Sequence, residues 1–330
     1  VPALALQPTR LVMLVHTGAQ YTDVYENTVR ALRDRMPHLV ISYFEADCND
    51  PDSVREALEA LYAKYPEGVF DFTGGTETML LGAYAFAFRH DTPMLHINME
   101  SCSLININRC EELAREFVFP QLTLEDHLNM NGAFLAGYGY HAPPEKWESR
   151  IRGFCRLVLE NQQKWKEQCL YLQMTAARAK DLQVENFLEL RTADGVAVRG
   201  DAAYLRRLEL AGMLEKVVVR GDRISFRFPN VQIRQCLCDS GMWLELHTYL
   251  LLKESGRFSD VRLSVRIGWG AAEAQTAGTA YNEIDIIACA GITPLFVSCK
   301  SGLPNPNSMN EILVYARKFG GVRAKAAMVT

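Results

Sequence analysis

The chain has 330 residues, of which 48% are hydrophobic and 22% are charged, so it is long enough for about two globular domains and is not a disordered chain. Its formal net charge of −4 argues against a general polyanion-binding protein, because such proteins are usually basic overall. Any contact with nucleic acid is therefore expected to be local.

Cysteine content and hydropathy limit the cellular setting. The nine cysteines include no Cys-x-x-Cys pair, which indicates neither a disulfide framework nor a zinc ribbon and favours a reducing, cytoplasmic location. No apolar run approaches the length of about 18 residues that a transmembrane helix needs. We therefore expect no membrane partner.

Apolar runs and helical patterns alternate through the first third of the chain. Runs of strand type cover residues 10–16, 39–44, 69–72, 94–97 and 103–107, and helical periodicity covers residues 21–36, 51–64 and 77–89. This β-α-β alternation predicts an α/β fold with an open, largely parallel sheet. In such a fold, ligands bind in the loops beyond the carboxyl ends of the strands.

Two polar loops follow predicted strands at this sheet edge. Residues 73–76 (Thr-Gly-Gly-Thr) precede a helix that begins at Glu77, and residues 16–20 (His-Thr-Gly-Ala-Gln) follow the first strand. Two glycines allow a ligand to approach backbone amides, and a helix N-terminus favours an anion, so the first loop suits a phosphate. The second loop offers hydroxyl and amide groups to a base or a ribose. An ordinary structural turn is the alternative.

The pattern around these loops argues against two common nucleotide sites. Neither Gly-x-Gly-x-x-Gly nor a Gly-Lys-Ser/Thr ending is present, which excludes the usual dinucleotide and nucleoside triphosphate motifs. A nucleotide-dependent metabolic enzyme would need an acid or base here, and the candidates are His16 and His96. A core or hydrogen-bonded role explains each histidine equally simply.

Residues 143–235 read mainly as helices. The longest helix is predicted over residues 147–168, and a helix over 202–212 leads into short strands at 214–219 and 224–228. A helix that leads into a two-stranded wing is similar to a winged helix. Its presumed recognition segment carries two arginines among core-type residues, so we favour a structural connector over a DNA-reading module.

The last segment, residues 236–330, predicts the order α-β-β-β-α-β. The first helix opens at Gly241 and carries Glu245. The expected strands cover residues 260–268, 282–288 and 293–299, followed by a helix near 308–319 and a strand from 323. Strand alternation places Glu283 and Asp285 on one face, and Ser298 and Lys300 on one face of the neighbouring strand.

This grouping of carboxylates and a lysine is what metal-dependent phosphodiester hydrolysis needs. Carboxylates hold Mg²⁺ or Mn²⁺, the cation polarises the phosphoryl oxygen and lowers the pKa of a water, and a lysine orients that water or stabilises developing charge. Asp285, Glu283 and Lys300 are the candidates on the strands, and Glu245 is a further candidate ligand. A surface salt bridge between Asp285 and Lys300 is the structural alternative.

Residues 71–76 (Asp-Phe-Thr-Gly-Gly-Thr) resemble the signature of the CRISPR-associated Rossmann-fold (CARF) domain, whose usual form is Thr-Gly-Gly-Thr-Lys. The resemblance implies a Rossmann-like sensor domain over residues 1–142, and a homodimer that binds a cyclic oligoadenylate across its two-fold axis. Glu77 stands where the family has lysine. The residues implied in ligand binding are Thr17, Gly18, Gln20, Thr73, Gly74, Gly75, Thr76 and Asn98.

The C-terminal segment resembles the PD-(D/E)xK nuclease core, through residues 241–245 (Gly-Met-Trp-Leu-Glu), 282–285 (Asn-Glu-Ile-Asp) and 298–302 (Ser-Cys-Lys-Ser-Gly). Joined to the sensor through a helical or winged-helix connector, it resembles the Card1/Can2 group of CRISPR ancillary nucleases over nearly the whole chain. The resemblance implies an endonuclease of type III CRISPR antiviral defence that cyclic tetra-adenylate activates allosterically. Implied substrates are single-stranded DNA, RNA or nicked duplex DNA.

The resemblance also assigns roles at this centre. Asp285, Glu245 and the carbonyl of Cys299 would bind Mn²⁺ or Mg²⁺ beside Lys300, but Ser298 stands where these nucleases usually carry an acid. In one account, Glu283 or Glu245 supplies the missing charge and activity survives. In the other, the chain is a catalytically impaired sensor that acts as a winged-helix transcriptional regulator. We favour the first account.

Overall fold

The computed structural model of the chain describes residues 2–18, 22–98, 101, 103–109, 111, 118–139, 147–269, 281–303 and 306–330. The chain forms two compact units. The N-terminal unit comprises Val1–Leu122 with Asn129–Gly132, and the C-terminal unit comprises Thr123–Leu128 with Ala133–Thr330. No helix in the described part of the chain combines the length and apolarity needed to cross a membrane.

The N-terminal unit alternates strands and helices in the predicted order. Its elements are α1 (Pro2–Leu6), β1 (Arg10–His16), α2 (Thr22–Arg35), β2 (Val40–Ala46), α3 (Pro51–Lys64), β3 (Phe70–Asp71), α4 (Glu77–His90), β4 (Met94–Asn98) and β5 (Ser103–Asn106). Strands β1 and β2 pair in parallel, as do β3 and β4, whereas β5 runs antiparallel to β4. The described ladders form two separate parts, β1–β2 and β3–β4–β5, of the predicted α/β arrangement.

Helices α3 and α4 fix the position of the glycine loop. The side chain of Asp50 caps α3 by accepting hydrogen bonds from the amides of Asp52 and Ser53. Gly82 lets α4 approach α3 closely, because a Cβ at this position would lie 2.5 Å from the carbonyl oxygen of Pro51. The buried core beside these helices comprises Val54, Leu58, Phe72, Phe86, Ala87 and Met94.

The C-terminal unit carries the remaining sheets. Its elements are α5 (Leu124–Met130, whose last two residues belong to the N-terminal unit), β6 (Ala133–Tyr138), α6 (Glu148–Glu160), α7 (Gln162–Ala176), β7 (Gln183–Phe187), β8 (Glu189–Arg191), β9 (Ala197–Arg199), α8 (Ala202–Leu210), β10 (Glu215–Arg220), β11 (Arg223–Arg227), α9 (Val231–Leu237), α10 (Met242–Glu254), β12 (Asp260–Trp269), β13 (Asn282–Ala290), β14 (Thr293–Cys299), α11 (Pro306–Gly320) and β15 (Lys325–Val329). Strands pair in the orders β15-β14-β13-β12-β6, β10-β11-β7 and β8-β9. The predicted α-β-β-β-α-β order is present as α10-β12-β13-β14-α11-β15.

The helix predicted over residues 147–168 is in fact two helices. Asn161 ends α6 with an extended backbone (φ −158°, ψ 88°) and caps α7, because its side-chain oxygen accepts a hydrogen bond from the Lys164 amide at 2.9 Å. Asn competes with the helical backbone in this way. The predicted wing is present as the antiparallel pair β10–β11, and β7 adds to β11 as a third strand that the sequence analysis missed.

The structure divides the chain differently from the predicted ranges 1–142, 143–235 and 236–330. Strand β6 falls within the first predicted range, yet it pairs with β12 in the C-terminal sheet, where Tyr138 lies opposite Val265. One hydrophobic core also runs across the boundary at 235, because Phe154 and Phe226 share it with Leu246. The middle segment and the last segment therefore pack as one body.

His127 on α5 should make the C-terminal unit sensitive to acid. Burial lowers the pKa of His127 to about 4, although the nearby negative charge of Asp126 opposes this shift. As the pH falls below 6.5, the unfolded chain binds a proton at His127, whereas the folded unit does not bind it until the pH is near 4. The free energy of unfolding therefore decreases between pH 6.5 and pH 4. We expect His127→Phe to remove a loss of roughly 2–3 kcal/mol over this range.

The measurement is urea unfolding at several pH values. All four tryptophans (Trp147, Trp165, Trp243 and Trp269) belong to the C-terminal unit, so their fluorescence reports on this unit alone. The control variant, His247→Asn on α10, should keep the loss because His127 stays buried. An unchanged pH dependence in His127→Phe would contradict this assignment.

Candidate functional site

Asp285 in β13 is held by the end of β14. The antiparallel register pairs Ile286 with Val297, so Asp285 and Ser298 take neighbouring positions on the two strands. The Oδ2 atom of Asp285 accepts a hydrogen bond from the Cys299 amide at 2.6 Å and another from Ser298 Oγ at 3.2 Å. The structure therefore brings these three predicted residues together around one carboxylate oxygen.

Lys300 completes the group. It follows β14 directly, and its amide donates a hydrogen bond to the Val329 carbonyl of β15 at 2.9 Å. Its Nζ lies 3.8 Å from Asp285 Oδ2, with 46% of the lysine side chain and 21% of the aspartate side chain exposed. An ion pair this exposed contributes only about 0–1 kcal/mol to stability. The ammonium group is thus accessible from the solvent.

Glu245 on α10 is affected by the negative charge of Asp285. Burial, followed by the nearby charges of Asp285 and Asp239, raises its pKa to about 8, and the positive charge of Lys300 opposes the shift. Burial is the larger cause of this shift, and the part that Asp285 contributes shows that the two carboxyl groups repel each other when both are ionised. A bound cation relieves such repulsion.

Glu283 has a different partner from the one expected. Its Oε2 atom lies 3.1 Å from Nε of Arg266 on β12, and both side chains are 47% exposed. Its carboxylate lies against Gly139, where a Cβ would be 2.2 Å from Oε1. The described contacts of Glu283 are therefore with Arg266 and Gly139, and none of them joins it to Asp285.

Cys299 contributes its backbone and not a thiolate. Burial raises the pKa of its thiol to about 12, and the Thr248 side chain hydrogen-bonds to it. A thiol of this kind stays protonated at neutral pH and is a poor metal ligand. The arrangement is compatible with the carbonyl role that the sequence resemblance implies.

The side chains at this centre offer few ligands to a divalent cation. Within the described residues, no group of three or more His, Cys, Asp and Glu side chains is placed to hold a metal ion. Asp285 and Glu245 do provide two carboxylates in an electrostatically negative site, and carboxylate oxygens are the donors that Mg²⁺ and Mn²⁺ prefer. The residues fit a hard cation whose remaining ligands are water and main-chain oxygen.

Asp239 is a site residue that the sequence analysis missed. It precedes α10, and its effect on the pKa of Glu245 follows that of Asp285 and exceeds that of Glu283. The available signal was Asp-Ser-Gly ahead of a helix, which is typical of an N-cap. That pattern predicts a structural role only, so it gave no reason to place Asp239 near Asp285.

In the N-terminal unit, the loop after β2 links the two predicted ligand loops. The Cys48 amide donates a hydrogen bond to His16 Nδ1 at 3.0 Å, and the Cys48 carbonyl accepts one from Thr76 Oγ1 at 3.4 Å. The Thr17 amide donates to the Ala46 carbonyl at 3.1 Å. The ends of β1 and β3 are therefore tied together through a loop that the sequence analysis did not single out.

The glycine loop is braced at both ends. Thr73 Oγ1 accepts a hydrogen bond from the Ile97 amide at 2.9 Å, and Thr76 caps α4 by accepting one from the Met79 amide at 3.2 Å. Gly75 has φ +121°, which L-residues with a side chain rarely adopt, whereas nothing lies within 4 Å of the Cβ position at Gly74. The peptide at Gly74 is thus open to a ligand.

The other predicted ligand residues are placed as follows. Gly18 has φ +118° and open space around it, and Asn98 Oδ1 accepts a hydrogen bond from the Ser101 amide at 3.0 Å. Gln20 lies outside the described residues. His96 Nδ1 is 3.0 Å from the Phe72 carbonyl, and this contact requires a proton on Nδ1. Like His16, His96 therefore has a structural role, which weakens the metabolic-enzyme alternative.

The raised pKa of Glu245 predicts a stability effect opposite to that of His127. In the absence of divalent cations, the folded state holds a proton that the unfolded chain releases near pH 4.5, so stability falls as the pH rises from 4.5 to 8. We expect Glu245→Gln to remove this fall and to be more stable than wild type at pH 8.5 by roughly 1–3 kcal/mol. Urea unfolding in EDTA measures the difference.

A matched control for this measurement is Glu254→Gln, at the exposed end of the same helix. It should keep the fall between pH 4.5 and 8, because Glu245 is untouched. Equal stability of Glu245→Gln and wild type at every pH would show that Glu245 does not carry the shifted proton.

The comparisons with known proteins concern the fold. No protein-family model matches the chain, and no curated protein matches it. The structure is similar to that of Can2 from Sulfobacillus thermosulfidooxidans in complex with cyclic tetra-adenylate, with a TM-score of 0.67 and 18% identity, covering 99% of this chain and 84% of that one. It is also similar to protein VC1899 from Vibrio cholerae, with a TM-score of 0.74 and 17% identity, covering 99% and 83%. The chain therefore has a Can2-like fold, which confirms the resemblance to the Card1/Can2 group at the level of the fold.

Proposed function

We propose that the chain is a metal-dependent endonuclease of type III CRISPR antiviral defence that cyclic tetra-adenylate activates. The observation that carries the proposal is the grouping of Asp285, Lys300 and the half-buried Glu245 at the end of β14. The fold supports the choice of activator, because the similar protein Can2 was solved with cyclic tetra-adenylate. Single-stranded DNA, RNA or nicked duplex DNA is the proposed substrate.

The chemistry follows from the residues present. Asp285 and Glu245, with the Cys299 carbonyl, would hold Mn²⁺ or Mg²⁺, which when bound polarises a phosphoryl oxygen and lowers the pKa of a water. Ser298 keeps the Asp285 carboxylate oriented by donating a hydrogen bond to it. Lys300 orients the attacking water and stabilises the charge that develops on the phosphate.

The N-terminal loops would bind the activator. The open peptide at Gly74 and the N-terminus of α4 offer amide donors and a favourable field to a phosphate. Glu77 is exposed in the first turn of α4, where a negative charge opposes such a ligand, so amides rather than a lysine carry this contact. A homodimer would pair two such loops across a two-fold axis, as the CARF resemblance implies.

Activation then requires differential binding. Cyclic tetra-adenylate shifts a two-state dimer towards an active arrangement only if it binds that arrangement more tightly.

The seven described cysteines are free, which supports a reducing compartment such as the cytoplasm as the place of action.

The alternative function of a winged-helix regulator would need a helix that is free to contact DNA. Helix α8, its candidate recognition helix, buries Tyr204, Leu205 and Leu208. Arg207, one of its two arginines, pairs with Glu160 of α6. These contacts support a packing role for α8.

The nuclease assay is the direct test of this proposal. Purified protein with Mn²⁺ and labelled single-stranded DNA, RNA and nicked duplex should cleave at least one substrate only when cyclic tetra-adenylate is added. Lys300→Ala should lower the activated rate by about 100-fold or more, since it removes a group that acts on the reacting water. The control Lys325→Ala changes an exposed lysine of the same sheet and should cleave like wild type.

Two outcomes of this assay would contradict the proposal. One is the absence of cleavage of every substrate with activator and Mn²⁺ present. The other is equal cleavage with and without the activator.

The ligand loop gives a separate prediction. Because Gly75 has φ +121°, Gly75→Ala strains the loop by about 1–3 kcal/mol or forces it to change shape. We expect calorimetry to show at least a tenfold loss of affinity for cyclic tetra-adenylate. Gly221→Ala, which strains the turn between β10 and β11 (φ +61°), is the control and should keep wild-type affinity. Wild-type affinity in Gly75→Ala would exclude this loop as the ligand site.

A further inference from the structure

Two hydrophobic cores cover opposite faces of the C-terminal sheet. One includes Leu246 of α10 and Val297 of β14, and is called the α10 core. The other includes Ile312 of α11 and Phe296 of β14, and is called the α11 core. Consecutive side chains of a strand, such as Phe296 and Val297, point to opposite faces of the sheet. The core that a strand residue joins therefore identifies the face to which its side chain points.

Strands β12 and β13 change the face that they bury. Leu263 in β12 and Ile286 in β13 join the α10 core, whereas Val265 and Ile284 join the α11 core. Residues two apart in a regular strand would share one face. The antiparallel register pairs Leu263 with Ile286 and Val265 with Ile284, so both strands change faces at the same level of the sheet.

Ser264 and Asp285 are the residues at this level, and the register places them opposite each other. Ser264 has φ +49°, a left-handed conformation that is uncommon for a residue with a side chain. Its carbonyl accepts a hydrogen bond from the Gly139 amide, directly after β6, at 2.7 Å, and its side chain is buried. The left-handed backbone of this one residue turns the rest of β12 to the other face.

The same level of the sheet is where β13 separates from β14. In the direction of Asp285, the ladder between these strands ends at the pair of Ile286 and Val297. One residue further, the Asp285 carboxylate accepts the hydrogen bond of the Cys299 amide at 2.6 Å, and Lys300 Nζ lies 3.8 Å from the same oxygen. The change of face therefore coincides with the point where Asp285 meets the end of β14.

The strain at Ser264 bears on the direction of the Asp285 side chain. A left-handed backbone at such a residue is costly and persists only where the surrounding structure imposes it, which occurs most often at functional sites. With an extended backbone at Ser264, β12 would bury one face throughout, and β13 would follow because the two strands are paired. The Asp285 carboxylate would then lose its place beside the Cys299 amide.

We propose that Ser264 is a positioning residue of the candidate metal centre. Its left-handed backbone, and not its hydroxyl group, changes the buried face of β12 and β13 and so directs the Asp285 carboxylate towards the Cys299 amide and Lys300. The inference rests on the proposed metal-dependent function and explains how the sheet presents its carboxylate.

Ser264→Thr tests the proposal, because it keeps the hydroxyl group but adds a branch at Cβ, and a β-branched residue strongly disfavours positive φ. The Cys299 amide should lose its acceptor and exchange its hydrogen at least tenfold faster than in wild type, as measured by NMR of the full chain in EDTA. The affinity for Mn²⁺, measured by calorimetry without nucleic acid or activator, should also fall at least tenfold.

Two variants at the same position are the controls. Ser264→Gly adopts positive φ freely and should keep amide exchange and Mn²⁺ affinity within twofold of wild type. Ser264→Cys carries a larger atom than serine without a branch at Cβ, and should stay within threefold. Wild-type behaviour of Ser264→Thr, a loss in Ser264→Gly, or equal losses in Ser264→Cys and Ser264→Thr would each overturn the proposal.

Urea unfolding followed by tryptophan fluorescence checks that the variants fold. Ser264→Thr should unfold in one cooperative transition, since only a local stretch of the sheet is changed. Failure of Ser264→Thr to fold while Ser264→Cys folds would mean that the left-handed backbone serves the fold as a whole, and would also overturn the proposal.

The result is separable from that of the nuclease assay. Faster exchange of the Cys299 amide in Ser264→Thr, without Mn²⁺ binding or cleavage by the wild-type chain, would contradict the proposed function and leave the control of Asp285 by Ser264 standing. Activated cleavage by Ser264→Thr at the wild-type rate would overturn the role of Ser264 and leave the proposed function standing.

Discussion

The hydrogen bond from the Cys299 amide to Asp285 is the contact on which the candidate centre depends. It exists because β13 and β14 pair in one antiparallel register, and a shift by one residue would turn Asp285 to the other face of the sheet. The next residue, Lys300, is fixed in turn by its backbone bond to β15. Sheet pairing thus places the Asp285 carboxylate and the Lys300 ammonium group side by side before any ligand binds.

The electrostatic balance of the centre explains why one missing acid need not abolish it. The carboxyl group of Glu245 is half-buried, and its pKa is raised first by that burial and then by the negative charge of Asp285, even with a serine at position 298. A cation would offset that negative charge and return Glu245 to its ionised form. The repulsion between these two carboxyl groups is therefore also what would favour the binding of a divalent metal ion.

Much of the fold followed from local pattern, because strand and helix periods are set by which face is buried. Strands such as β1 and the run β12–β13–β14 were predicted nearly to the residue. Position 161 was missed because the cap role of Asn161 depends on its backbone shape. The parts of the site contributed by Cys48 and Asp239 were missed because a loop carries no periodicity, and its neighbours are set by tertiary packing. Glu283 was predicted to act with Asp285 because both would lie on one face of a regularly alternating β13, but its ion-pair partner is Arg266 on the neighbouring strand β12.

The central claim is that Asp285 and Glu245 together hold a divalent cation. The most direct measurement is the anomalous scattering of Mn²⁺ in crystals of the full chain grown with that ion. The account predicts a peak within about 2.5 Å of a carboxylate oxygen from each of the two residues, the range in which hard cations bind oxygen. A peak elsewhere, or none at millimolar Mn²⁺, would contradict it.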